Sequence, residues 1–192
     1  MAAIDNLTPQ AASIVKLFAY PFRSAPTADI VTWGVNQIIN GGSSPAALLD
    51  LLFDLPVTGS PFTAYGRIAS NTAFATALVD NLTSDLRVGA DVKAGWVNTV
   101  LAELPFWASR GALTWGVIQF IEAGSSSDAN LQALRTSLAE RVEKAALFTQ
   151  SPAGAVWDRA GFDQLLAPLV PEPTYELTAA AASVDEGGSD RK

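Results

Sequence analysis

The chain has 192 residues, of which 49% are hydrophobic and 16% are charged, and this composition excludes an intrinsically disordered protein. Its net charge of −7 argues against nucleic-acid binding, because phosphate backbones repel an acidic protein. Cysteine and histidine are absent, which excludes disulfide scaffolds, the usual zinc sites, thiol nucleophiles and Ser-His-Asp triads.

Helix-start signals recur along the first 167 residues. Thr8-Pro9, Ser44-Pro45, Ser60-Pro61 and Ser151-Pro152 each place a capping side chain before a proline, which is favoured at the first helical position. Apolar residues then follow a period of 3.6, and no strand-like alternation precedes residue 170, so we predict an all-α domain of about eight or nine helices. The predicted helices span residues 9–21, 27–40, 45–55, 61–69, 72–86, 90–103, 109–122, 127–149 and 158–167.

Residues 168–192 differ in composition from the helical part. Three prolines punctuate a linker, and Tyr175 and Leu177 then alternate with polar residues, which is typical of a strand. A single strand cannot bury itself, so we predict domains at 1–167 (helical) and 168–192 (linker and the first strand of a truncated β-sandwich). The alternative is an ordinary acidic tail.

Two tryptophans mark a degenerate internal repeat. Trp33 and Trp96 each follow an apolar helix, an arginine-containing turn and an aspartate, and each is followed shortly by an asparagine. This order predicts two related helical units, as in helical repeat proteins. We expect Trp33, Trp96, Trp115 and Trp157 to lie in the core, because each falls on an apolar predicted helix.

The second unit resembles the bacterial domain-of-unknown-function 4214 family, which is related to phycobilisome-linker-like units. The resemblance covers residues 12–150 and is carried by the first helix at 70–82, by Trp96-Val97-Asn98 in the second helix and by 108–111 at the start of the third. The segment from Tyr175 is similar to the opening strand of Calx-β-like or Ig-like repeats. Such modules combine in S-layer proteins and in other large surface proteins exported by type I secretion.

The resemblance implies an N-terminal anchoring domain at residues 1–167 that binds lipopolysaccharide O-antigen and places a protein array on the outer membrane. The implied location is extracellular, at the cell surface, with export independent of an N-terminal signal peptide. The sequence agrees, because no basic residue precedes Lys16 and no apolar run reaches the roughly 18 residues of a membrane helix. The implied partners are a cell-surface polysaccharide and copies of the chain in a lattice or filament.

Exposed aromatic rings beside arginine and aspartate can hold sugars, because the rings stack on apolar sugar faces while the polar groups bind hydroxyls. We expect such contacts at helix junctions, where several side chains converge. The candidate glycan-binding residues are Tyr20, Arg23, Asp29, Arg87, Asp91, Trp107 and Arg110.

The sequence also bears on enzymatic activity, on metal binding and on an alternative function. The spaced carboxylates Asp50/Asp54 and Asp80/Asp85 are interpreted as solvated helix-face charges, and with no nucleophile–base arrangement we expect no enzymatic activity. We expect no cofactor, although one calcium ion held by Asp29 or Asp91 with loop carbonyls is possible. The alternative function is protein–protein assembly, as in linker-like domains, without glycan binding.

Overall fold

The computed structural model describes residues 2–54, 65–66, 69–124, 127–155 and 176–177, and this part of the chain is almost entirely helical. The predicted all-α fold class is confirmed. The α-helices of the described part are α1 (Pro9–Phe22), α2 (Ala28–Ile39), α3 (Pro45–Phe53), α4 (Asn71–Thr83), α5 (Ala90–Glu103), α6 (Arg110–Ala123) and α7 (Ala129–Gln150). Short 3₁₀ turns lie at Ala3–Asn6, Leu104–Phe106 and Pro152–Ala155.

Polar side chains cap most helix starts and explain where the helices begin. In each case the side-chain oxygen accepts a hydrogen bond from a backbone N–H of the first turn, which has no partner inside the helix. The capping residues are Thr8, Thr27, Ser44, Ser70, Ser109 and Asp128. Seven predicted helices therefore agree with the structure to within about three residues at each end.

The predicted helix over residues 61–69 is wrong at the residues that the structure describes there, because Tyr65, Gly66 and Ala69 lie in turns and bends. The rest of this range lies outside the described residues. Arg110, whose guanidinium binds the carbonyls of this segment, supplies the backbone partners that a helix would have provided. The predicted helix 158–167 and the domain boundary at residue 167 lie outside the described residues.

A two-residue strand, β1 (Arg87–Val88), follows α4 and pairs in parallel with β2 (Glu176–Leu177). The register places Arg87 opposite Glu176 and Val88 opposite Leu177. The sequence predicts no strand before residue 170, so β1 is a departure from that expectation. The remainder of the predicted β-sandwich start lies outside the described residues.

Helix α1 lies at the centre of the fold and contacts α2, α3, α4, α6 and α7. Its side chains Val15, Leu17, Phe18 and Phe22 are buried, so the helix has few exposed positions beyond its first turns. The structure also packs α3 against α6 and α4 against α5. The core therefore joins all seven helices of the described part into one unit.

The tryptophans of the predicted repeat occupy similar places along two helix pairs. Trp33 lies on α2, which packs on α1, and Trp96 lies on α5, which packs on α4. The expectation that Trp33 belongs to the core is wrong, because 39% of its surface is exposed. Trp96 and Trp115 are half-buried at the edge of the core, and Trp157 lies outside the described residues.

Candidate functional site

A buried ionic cluster lies where the ends of α1 and α4 meet α7. Arg141, on α7, is 1% exposed, its Nε donates to Asp85 Oδ2 at 2.7 Å, and its Nη2 forms an ion pair with the same oxygen at 2.6 Å. Arg23 donates from Nε to the other oxygen of the same carboxylate at 3.0 Å. One aspartate therefore neutralises the charge of one of two neighbouring arginines. Burial of the Arg141 guanidinium lowers the pKa of Arg141, and the negative charge of Asp85 opposes that shift.

The same guanidinium caps two helices. Arg141 Nη1 donates to the carbonyl of Asn81 at 2.8 Å near the end of α4, and to those of Ala19 and Tyr20 at 3.3 and 3.4 Å near the end of α1. Carbonyls in the last turn of a helix have no partner within it and carry the negative end of the helix dipole. Arg141 therefore links the C-terminal ends of α1 and α4 to α7 through hydrogen bonds.

Arg23 ends α1 in a left-handed backbone conformation, with φ of 46°. This conformation costs a non-glycine residue roughly 1–2 kcal/mol. The ion pair with Asp85 holds the side chain in place, and Asp85 precedes Arg87 by two residues in the turn between α4 and α5. The structure thus brings Arg23 close to the turn between α4 and α5, which also carries Arg87.

Three of the predicted glycan contacts are open to solvent. Asp29 lies in the first turn of α2, Asp91 in the first turn of α5, and Arg87 on β1, and all three are exposed.

Tyr20 differs from that group, because only 3% of its surface is exposed. Its hydroxyl donates to Glu122 Oε1 at 3.2 Å, and Lys16 pairs with the same oxygen at 2.8 Å. Burial, followed by the negative charge of Glu122, raises the pKa of the Tyr20 hydroxyl above its ordinary value. The ring therefore offers no open face for stacking on a sugar.

We expect Tyr20→Phe to reduce the loss of stability at high pH. The folded chain keeps the Tyr20 proton at pH values where the unfolded chain, with an ordinary tyrosine pKa near 10, loses it. Unfolding then releases a proton, so the stabilising contribution of Tyr20 is present below pH 10 and falls above it, by up to about 1.4 kcal/mol per pH unit. Urea unfolding at pH 8 and at pH 11 measures the effect. An equal fall in the wild type and the variant would contradict it.

Arg110 has an internal role. Its Nη1 donates to the carbonyl of Gly66 at 2.6 Å, its Nη2 donates to the carbonyl of Ala69 at 2.7 Å and to Asn71 Oδ1 at 3.0 Å, and its Cζ lies 5.1 Å from the centre of the Phe74 ring. Desolvation of the guanidinium lowers the pKa of Arg110. Arg110 therefore holds the segment before α4 against the start of α6.

The interpretation of Asp50 and Asp85 as solvated surface charges is wrong. Asp50 Oδ1 accepts the backbone N–H of Gly111 at 2.8 Å, at the start of α6. A Cβ at position 111 would lie closer than 3.0 Å to the Ala46 carbonyl and to Asp50, so only glycine permits this approach of α6 to α3. Asp80 fits the surface interpretation, because its side chain is 56% exposed and pairs with Lys93 at 3.0 Å.

Trp107 lies between α5 and α6 and forms an open aromatic surface. Its ring packs over Gly116, where a Cβ would lie closer than 3.0 Å to three ring atoms. Its Nε1 donates to Glu103 Oε2 at 3.4 Å, and 41% of the residue is exposed. The neighbouring Phe106 is 83% exposed. Trp107 and Phe106, hereafter the aromatic platform, therefore combine flat apolar rings with an adjacent carboxylate.

A shallow groove lies further along α6, where it meets the start of α7. Its lining residues are Phe120, Ile121, Gly124, Leu131, Gln132 and Arg135. Phe120 is 57% exposed, and Arg135 packs its guanidinium against Gly124, which has a φ of 59°. Neither Phe120 nor Arg135 is among the glycan contacts that the sequence predicts.

The part of the chain that the structure describes contains no group of three acidic side chains able to hold a metal ion. The calcium expectation at Asp29 or Asp91 stays a prediction. None of the described helices is both long enough and apolar enough to cross a membrane.

No protein-family model, curated protein or solved structure matches the chain. The resemblance to the 4214 family and to surface-protein N-terminal regions therefore stays a prediction.

Proposed function

We propose that the chain is a carbohydrate-binding domain that anchors a bacterial surface protein to lipopolysaccharide O-antigen. In this proposal residues 1–167 form the anchoring domain of an S-layer or similar exported protein, built from two related helical units. The protein acts outside the cell, without enzymatic activity.

The aromatic platform is the observation that supports this proposal. Large exposed apolar rings usually avoid water, so a tryptophan with its ring held over Gly116 and its N–H bound to Glu103 is suited to stack on a sugar face. The Glu103 carboxylate, adjacent to the ring, can accept hydrogen bonds from sugar hydroxyls. Stacking and hydrogen bonding together are what recognition of a neutral sugar requires.

Apart from Tyr20, whose ring is buried, the other candidate residues divide into two roles. Asp29, Arg87 and Asp91 are exposed and can bind hydroxyls directly. Arg23 and Arg110 bind protein groups and act by positioning the junctions between helices.

We expect Trp107→Ala to weaken binding to O-antigen-bearing lipopolysaccharide by at least tenfold, or about 1.4 kcal/mol, because the stacking surface is lost. The matched control is Trp33→Ala, which removes a tryptophan of similar exposure (39% against 41%) from α2. Pull-down of the chain on purified lipopolysaccharide, with and without O-antigen, gives the readout, and circular dichroism checks that both variants remain helical.

Equal binding by wild type and Trp107→Ala would remove the aromatic platform from the site. Equal binding to lipopolysaccharide with and without O-antigen would remove O-antigen as the ligand.

The second candidate function is protein–protein assembly without glycan binding. Ile39, Leu51 and Leu147 are 61%, 47% and 55% exposed, and they lie on three separate helices. Aliphatic side chains bury well against another protein surface but do not stack on sugars. Self-assembly that persists in Trp107→Ala, in the absence of any lipopolysaccharide binding by the wild type, would favour this function.

A further inference from the structure

The aromatic platform and the groove lie on one face of α6. Gly116 and Phe120 are spaced by four residues on α6, so they are neighbours on the helix surface, and Gly124, four residues further on, is the C-cap that ends the helix. Each step advances about 6 Å along the axis, so the row from Gly116 to Gly124 covers about 12 Å. This row, with the side chains that lie over it, is hereafter the α6 strip.

Each position of the strip presents a different group. The indole of Trp107 lies over Gly116, the phenyl ring of Phe120 is exposed at the middle, and the guanidinium of Arg135 lies over Gly124. A Cβ at Gly116 would overlap the indole, so Gly116 lets the ring lie against the helix, and Gly124 adopts a φ of 59° that favours glycine. Two aromatic rings and one cation therefore follow one another along α6 and its C-cap.

Arg135 has the charge that a ligand could use. Arg23, Arg110 and Arg141 bind carboxylates or backbone carbonyls inside the protein. Arg135 is exposed, and the structure records no hydrogen bond or ion pair between it and the residues that are described. Although the chain carries a net charge of −7, an exposed guanidinium beside aromatic rings favours an anionic group next to Arg135.

We propose that the α6 strip binds an acidic polysaccharide, with sugar faces on Trp107 and Phe120 and a carboxylate or phosphate of the chain on Arg135. This inference rests on the proposed function and adds the class of glycan and two contact residues. A guanidinium pairs with either anion through two parallel N–H donors, which also sets the direction of the polysaccharide along α6.

The test uses the full chain on a printed array of bacterial lipopolysaccharides and capsular polysaccharides, both acidic and neutral. We expect Arg135→Gln to weaken binding to acidic polysaccharides by at least tenfold, and Arg135→Lys to weaken it less, because an ammonium keeps the charge but not the paired donors. Lys93→Gln is the matched control, since it removes one positive charge from a surface ion pair with Asp80.

Two treatments of the bound polysaccharide identify the anion. Carboxyl reduction abolishes the Arg135-dependent binding if the group is a carboxylate, and removal of phosphate with hydrofluoric acid abolishes it if the group is a phosphate. Phe120→Ala is expected to weaken binding both before and after either treatment, because its contact is with the sugar faces.

The possible failures are distinguishable. Binding to acidic polysaccharides that is unchanged in Arg135→Gln, or binding to neutral polysaccharides alone, would overturn the acidic-ligand inference and leave the proposed function intact. Absence of binding to every polysaccharide on the array would overturn both. Equal loss in Arg135→Gln and Lys93→Gln would mean that overall charge, rather than Arg135, governs binding, and would also overturn the inference.

Discussion

Asp85→Ala will lower the free energy of unfolding by about 3–5 kcal/mol, because it leaves the buried guanidinium of Arg141 without its counter-charge. The helix carbonyls that Arg141 also binds carry only partial charge and cannot replace a carboxylate. Arg23 loses its ion pair with Asp85 in the same step, and this pair contributes to holding the left-handed end of α1. Urea unfolding followed by circular dichroism measures the change.

Asp80→Ala is the matched control for this prediction. Asp80 also forms an ion pair, with Lys93 at 3.0 Å, but its side chain is 56% exposed whereas that of Asp85 is 7% exposed. Solvent-exposed pairs contribute about 0–1 kcal/mol, so Asp80→Ala will change stability little. Equal costs for the two variants would show that the cluster around Arg141 is open to solvent.

A double variant distinguishes the cost of losing the ion pair from the cost of leaving the Arg141 charge buried without a counter-charge. Asp85→Ala combined with Arg141→Met removes both charges, and replacing a buried ion pair by apolar groups is often close to neutral. We expect the double variant to be more stable than Asp85→Ala alone. A double variant that is less stable would mean that the helix-capping bonds of Arg141 outweigh its need for a counter-charge.

The helix positions could be predicted because their causes are local. A hydroxyl before a proline, as at Thr8-Pro9 and Ser44-Pro45, signals a helix start within a few residues of sequence. Helix ends were predicted less well, as α4 stops at Thr83 and not at residue 86. The turn after it is shaped by Asp85, whose two arginine partners lie far away in the chain.

The buried cluster could not be predicted, because it depends on tertiary contacts. Asp80 and Asp85 look alike in sequence, and only the packing of α7 decides that one is buried and the other is not. One signal was available in α7 itself. Arg141 follows Leu138 by three residues and therefore lies on the apolar face of the helix, where a charged residue requires a partner.

The exposure of the tryptophan side chains also depends on tertiary contacts that the sequence does not show. Trp33 and Trp107 differ little in local sequence polarity, and the sequence placed the first in the core and the second at a surface junction. Both are exposed, but only Trp107 has its ring seated over a glycine and its N–H bound by a carboxylate. The α6 strip depends on Arg135, which reaches α6 from a different helix.

Phe74→Ala will cost about 3–5 kcal/mol of unfolding free energy, the range for removing a fully buried aromatic ring. The ring of Phe74 contacts those of Tyr65 and Phe53 edge to face, at 5.8 and 6.1 Å, and carries the Arg110 guanidinium on its face at 5.1 Å. Its loss leaves a cavity between α3 and α4 and removes one support of Arg110, so the backbone around Gly66 should also exchange its amide protons faster.

Phe106→Ala is the control for that prediction, because Phe106 is 83% exposed and Phe74 is fully buried. Surface substitutions usually change stability by no more than about 0.5 kcal/mol, so Phe106→Ala should unfold close to the wild type. Denaturant unfolding compares the two variants directly. If Phe74→Ala costs as little as Phe106→Ala, then α4 does not pack on the aromatic side chains as described. If Phe106→Ala is the costlier change, the aromatic platform is part of the core and cannot serve as a surface for sugars.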